Sequence, residues 1–213
     1  MTGTAGRLPH DPEALAALRI PTEDDPWRVL LSGCMAGWPC GVDGTSYGME
    51  GAAGWLATCP RIRRVPFCPE DVGLGTPRTM PDLHGGDGGD VLDGRARVLD
   101  EHGVDLTEGM IRGARAMVEH ALAQRVELAV LTDMSAACGS QVISDGCRFD
   151  SPRRFQRGVG VATAALLRAG VCVVSQRDRA TLERLRERAE PGYVAEVDAL
   201  DWHRQPWYLQ TFG

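Results

Sequence analysis

"WRVLLSGCMAGWPCGVDG", Trp27 to Gly44, starts as an apolar run and ends as a loop of glycines, two cysteines and an Asp-Gly turn. The apolar half is short and closed by Gly33, which reads as a buried strand. The same step from strand to polar loop recurs twice. "RRVPFCPE" ends a second strand at Cys68-Pro69, and "ELAVLTDMSAACG" carries a third into a loop holding Cys138.

Helical segments fill the intervals. Thr107 is the expected N-cap of "EGMIRGARAMVEHALAQR", in which Ile111, Ala114, Met117, Val118, Ala121 and Leu122 recur at three- and four-residue spacing, forming one apolar face. "GVGVATAALLRAG" predicts a helix closed by Gly170, "VCVVSQ" a further buried strand, and "DRATLERLRERAE" a charged amphipathic helix capped by Asp178. "GMEGAAGWLAT" is a weaker helical segment, diluted by glycines, and "VLDGRARVL" predicts a small hairpin turning at Asp93-Gly94. Strands alternating with helices predict an α/β fold: a mainly parallel sheet flanked by helices, Rossmann-like and three-layered, with the hairpin as an insertion. Ligands bind such sheets beyond the carboxyl ends of the strands. Cys34, Cys68 and Cys138 each follow a strand, so they are placed to converge.

A length of 213 residues suits a single domain. Residues 1–26 read as an N-terminal extension with a short helix opened by Pro12, residues 27–190 as the α/β domain, and residues 191–213 as an aromatic tail. The net charge of −6 argues against general nucleic-acid binding through phosphates. No stretch approaches the ~20 apolar residues of a membrane helix, and "MTGTAGRLPHDPEALAALRI" lacks a signal-like apolar segment, so a cytoplasmic protein without membrane contact is expected. Seven cysteines is an odd count in a chain too long to need disulfide staples; they divide between buried thiols and metal ligands or reactive groups.

No two cysteines form Cys-x-x-Cys, and no histidine lies at zinc-ligand spacing, so local spacing alone is a weak metal signal. Thiolates suit soft metals and iron–sulfur clusters. Three cysteines on a four-iron cubane leave one iron open to act as a Lewis acid. Ordinary buried thiols are the competing reading.

The ordered set of motifs resembles the DUF523 family, which includes the thiouracil desulfidases. It comprises "SGCMAGWPCGVDG", "VPFCPEDVGLGTPR", "DGRARVLDEHGVDLTEGMIRGA", the Ser-x-x-Cys-Gly of "SAACGS" and the Asp-Gly of "ISDG", and spans roughly Val29 to Ser175. The resemblance implies a 4Fe–4S cluster held by Cys34, Cys68 and Cys138, with non-redox desulfuration of a small thiolated pyrimidine or nucleotide. An open iron would take the thiocarbonyl sulfur and a carboxylate would activate water, giving the oxo base and hydrosulfide. Asp43 is the first candidate for that base, Glu70 the second. Ser135 would bond the substrate or the attacking water, and Arg78 would bind an anionic or carbonyl group of the substrate. The chain departs from the family's usual pattern at Gly41-Val42, at Ala136-Ala137 and in "DVGLG", which leaves the ligands intact and alters the loops that meet the substrate.

Cys40 stands between an accessory thiol and a packed loop residue. Cys59, Cys147 and Cys172 read as structural, and His84, His102 and His120 as structural or solvated. The tail "DALDWHRQPWYLQTFG" reads as a cover over a seam or a homodimer contact, with nucleobase stacking as the less favoured use. Two further functions fit the same thiols: a non-enzymatic metal- or redox-sensing protein, and redox catalysis through a Cys34–Cys40 disulfide.

Overall fold

The computed structural model describes residues 9–49 and 51–213. Residues 1–8 of the expected extension, and Glu50 of the glycine-diluted segment, lie outside the described residues. Eight strands are described: β1 (Trp27–Ser32), β2 (Ile62–Phe67), β3 (Asp82–His84), β4 (Arg97–Leu99), β5 (Leu128–Leu131), β6 (Val142–Ser144), β7 (Phe155–Arg157) and β8 (Cys172–Ser175). The helices are α1 (Pro12–Ala16), α2 (Pro69–Leu74), α3 (Gly88–Leu92), α4 (Thr107–Ala123), α5 (Val161–Arg168), α6 (Arg179–Ala189) and α7 (Pro206–Phe212). Among them no helix is long and apolar enough to cross a membrane.

A four-stranded parallel sheet runs in the order β2-β1-β5-β8. Strand alternation sends side chains into two cores. Trp27, Val29, Leu31, Leu128, Val130, Cys172 and Val174 pack on one face with Leu15, Trp55, Leu182 and Leu185. Leu30, Val65, Ala129, Leu131 and Val173 pack on the other with Met110, Met117, Val161 and Leu166. The three-layer α/β reading is what the chain adopts.

Local corrections have physical causes. Asp93-Gly94 ends α3 instead of turning a hairpin, because Asp87 and Asp90 form a capping box that nucleates a helical turn there. The antiparallel partner of β4 is β3, whose paired residues lie thirteen or more positions upstream. Thr107 opens α4 without capping it: its hydroxyl accepts from the Val98 N–H of β4, and Asp105 accepts from the Thr107 N–H. Asp178 occupies the N-cap position of α6 but makes no cap bond to it. The glycine-diluted segment forms a 3₁₀ turn over Gly51–Ala57.

Helix α2 is pressed against α4 through bare backbone. A Cβ on Gly113 would sit 1.9 Å from the Pro69 carbonyl oxygen, and one on Gly73 would sit 2.1 Å from that of Gly109. Because Cys68 and Glu70 stand at the start of α2, these glycines set the depth of both side chains. Gly113→Ala is expected to cost about 1–3 kcal/mol through overpacking, which thermal denaturation reads as a Tm drop of about 2–4 °C per kcal/mol for a domain of this size. An unchanged Tm would mean that the helices can separate freely.

Candidate active site

Beyond the carboxyl ends of β1, β2 and β5 lies a cavity of about 240 Å³, lined by Cys34, Cys40, Cys68 and Cys138 together with Glu70, Arg78 and Ser135. Gly33 makes the convergence possible. A Cβ there would fall 3.1 Å from both the Cys40 Sγ and the Cys68 Cβ and 2.9 Å from the Trp38 ring. The Cys68 sulfur accepts the Asp71 N–H at 3.3 Å, and the Cys34 sulfur lies 3.6 Å from the Thr132 hydroxyl. Burial pushes all four thiols above the ordinary cysteine range. For Cys34 and Cys138, neighbouring thiols and Glu70 push the same way; for Cys68, Glu70 raises, whereas the Cys40 side chain lowers. A metal centre is what turns such a set into thiolates.

The spacing of the sulfurs tests what kind of centre fits. A single tetrahedral ion with metal–sulfur bonds of about 2.3 Å holds its ligands about 4 Å apart. Among the described residues, the trio of His, Cys, Asp or Glu side chains whose ligand atoms all lie within 4.8 Å of one another is His10, Asp178 and Asp201, not the cavity cysteines. The sulfurs of Cys34, Cys68 and Cys138 do not all fall within that spacing of one another, and iron–sulfur clusters are the centres usually held by cysteine thiolates alone.

Glu70 is buried, 8% exposed, and both of its oxygens are committed. Oε1 accepts the Ser135 hydroxyl at 2.9 Å, and Oε2 accepts Arg78 Nη2 at 2.6 Å and Nε at 3.1 Å. Ser135 in turn accepts the N–H groups of Ala137 and Cys138, so one hydroxyl ties the Cys138 loop to Glu70. The remaining Arg78 donors go to the carbonyls of Cys40, Gly41 and Gly75 and to the Thr76 hydroxyl. With its guanidinium N–H groups turned to these partners, Arg78 clamps Glu70 and the Cys40 loop. Arg78→Ala would strand Glu70 in a buried site, with an expected loss of about 3–5 kcal/mol in urea denaturation. Arg78→Lys, lacking the fork, is expected to recover only part of that loss.

A family model described as 2-thiouracil desulfurase matches residues 29–178. The chain belongs to the 2-thiouracil desulfurase family. The uncharacterized protein YbbK of Bacillus subtilis (strain 168) is 31% identical over 151 residues, covering 70% of this chain and 96% of that protein. A solved structure described as 4Fe–4S-dependent thiouracil desulfidase TudS is 33% identical with a TM-score of 0.58, covering 70% of this chain and 90% of its own.

Within this family frame, one expected site residue stands apart. Asp43 is exposed on its turn, and its carboxylate accepts both the N–H and the hydroxyl of Thr45, at 2.9 and 2.6 Å, which holds its pKa below the usual carboxylate range. It does not line the cavity. The Asp-Gly signal marked a turn, for which Asp is chosen because it bonds its own backbone two residues on. The structure brings together Cys34, Cys68, Cys138, Glu70, Ser135 and Arg78, and leaves Asp43 outside.

Sequence reading missed Asp133 and Tyr47. Asp133 is buried behind Thr132 and accepts the N–H groups of Met134, Ser140 and Val142, folding the loop that carries Cys138. Burial raises its pKa against those donors. Its position directly after β5 was the available signal, the same one that marked the cysteines. Tyr47 is 58% exposed at the cavity edge, and its N–H donates to the Cys34 carbonyl. Nothing in its local sequence separates it from an ordinary loop tyrosine.

Proposed function

We propose that the protein is a hydrolytic desulfidase acting on a small thiolated pyrimidine, with Cys34, Cys68 and Cys138 holding a 4Fe–4S cluster and Glu70 as the general base. The observation that carries this reading is the Ser135–Glu70–Arg78 chain: a buried carboxylate fixed at both oxygens and facing the same cavity as three strand-end cysteines. A cluster bound through three thiolates supplies an iron of open coordination, a Lewis acid for a thiocarbonyl sulfur.

The protein's own residues supply the rest. Glu70 Oε1 takes a proton from a water positioned at the thiocarbonyl carbon. Ser135, donating to the same oxygen, keeps that carboxylate edge directed into the cavity. Arg78 holds the other oxygen, so the carboxylate cannot rotate away. Phe67, Met80 and Pro81 form apolar cavity walls that limit water around the ring. The balance is one water consumed and one hydrogen sulfide released as the thiocarbonyl becomes a carbonyl. Cys40, buried beside Cys68 with its carbonyl accepting Arg78, shapes the loop in this account.

Anaerobic reconstitution with iron and sulfide, followed by 2-thiouracil, tests the reading. Hydrosulfide and uracil are expected in equal amounts; a cluster-loaded protein that releases neither from any thiolated pyrimidine overturns it. Asp43→Asn separates the two carboxylates. Its turnover is expected to stay within about twofold of the parent, the range of ordinary surface substitutions, and a loss of tenfold or more would return the base to Asp43.

A further inference from the structure

His10, Asp178 and Asp201 come from three distant segments and meet on the flank of the sheet beside β8. The backbone N–H of His10 donates to the Val173 carbonyl of β8 at 2.8 Å, which fixes this residue's backbone against the edge strand. Its Nδ1 lies 3.4 Å from Asp178 Oδ2, and its Nε2 lies 3.3 Å from Asp201 Oδ2. Both carboxylates are buried, Asp178 completely. The ligand atoms of the three side chains all fall within 4.8 Å of one another.

The carboxylates are held as outer-shell bonds hold metal ligands. Asp178 accepts Gln141 Nε2 and the Trp202 N–H on Oδ1, and the Ser175 N–H on Oδ2. Asp201 accepts the N–H of Thr181 on Oδ1 and its hydroxyl on Oδ2. Arg184, 61% exposed, reaches Asp201 Oδ2 at 3.6 Å. Nδ1 of His10 is left to the ion pair with Asp178 alone, while Nε2 also lies 3.2 Å from the Thr181 hydroxyl. A second imidazole stands by: His203, exposed, has its ring centroid 5.9 Å from that of His10. Both histidines line an open cavity of about 350 Å³, which gives solvent access to the imidazoles.

We infer that His10, Asp178 and Asp201, completed by a rotation of His203, form a second metal site, for a divalent first-row transition ion such as Zn²⁺. Two imidazoles and two carboxylates match the ligand chemistry and coordination number of such an ion, and its charge cancels that of the two buried carboxylates. Without an ion, the Asp178 and Asp201 side chains raise His10 to about 9, so that a proton supplies part of the missing positive charge. His10, Asp201 and His203 lie outside residues 29–178, and Asp178 is the last residue of that segment. The site therefore belongs to the chain's own extensions, which it pins to the family domain. It also reaches the candidate active site, because the Gln141 held by Asp178 belongs to the loop folded around Asp133.

Co²⁺ titration of the full chain, followed by displacement with Zn²⁺, tests the inference, since cobalt bound by nitrogen and oxygen lacks the intense near-ultraviolet band of cobalt thiolates. One Co²⁺ is expected to bind without that band. Its affinity is expected to fall at least tenfold in both His203→Ala and Asp201→Asn while the iron content of the reconstituted protein is unchanged. His203 is exposed, so His203→Ala decides the matter even where Asp201→Asn fails to fold. Absence of Co²⁺ and Zn²⁺ binding, binding with only the thiolate band, or equal affinity in His203→Ala overturns the site. The readout is a metal spectrum, so its failure and a failure of desulfuration are separate results.

Discussion

Glu70→Gln is expected to retain its cluster iron and to lose turnover by about 10²- to 10⁴-fold, the contribution of a positioned general base. The amide preserves the shape of the side chain and can still accept the Ser135 hydroxyl, but it cannot take a proton from water. Arg78 would lose its charged partner while keeping its bonds to Cys40, Gly41 and Gly75, so the loop around Cys40 stays tied. The kinetic signature is a fall in kcat and kcat/KM together, as when an interaction made only in the transition state is removed. Iron and sulfide content measured on the same sample separates this from a collapsed site. Full activity in Glu70→Gln would remove the carboxylate from the reaction.

Cys138→Ser is expected to abolish both iron loading and desulfuration. A serine oxygen is a poor substitute for thiolate at an iron–sulfur centre. Cys138 is buried, with Thr163 bonding its carbonyl and Ser135 accepting its N–H, so the loop has no freedom to offer another ligand. Cys172→Ser is the comparison: that thiol lies in the apolar core of β8, away from the cavity, and the variant is expected to load iron normally at some cost in stability. Parallel iron assays and visible spectra of the two variants give the answer. Cluster retention in Cys138→Ser would mean that Cys40 supplies the third sulfur.

The sheet was legible because three apolar runs stop at a cysteine-bearing turn, and parallel strands that stop at one edge bring their following residues together. Cys34, Cys68 and Cys138 converge for that reason, although no two share a local motif. Glu70 stands beside Cys68 and lines the cavity, whereas the Asp43 carboxylate bonds Thr45: an Asp-Gly pair that signals a turn looks the same whether the carboxylate faces a cavity or its own backbone. Arg78 reads in sequence as a substrate binder, and its contacts to Glu70 and the Cys40 loop come into view only in three dimensions. The pairing of β3 with β4 was hidden by the capping box that folds the intervening residues into α3. The meeting of His10, Asp178 and Asp201 was invisible in sequence: His10 and Asp201 are brought together by contacts to β8 and to the start of α6.

Turnover of 2-thiouracil in ¹⁸O-labelled water by the anaerobically reconstituted protein bears most directly on hydrolysis at this cavity. One labelled oxygen in each uracil formed, with an equal amount of free hydrosulfide, is the predicted result. Unlabelled uracil, or sulfur retained on the protein with no hydrosulfide released, would contradict it.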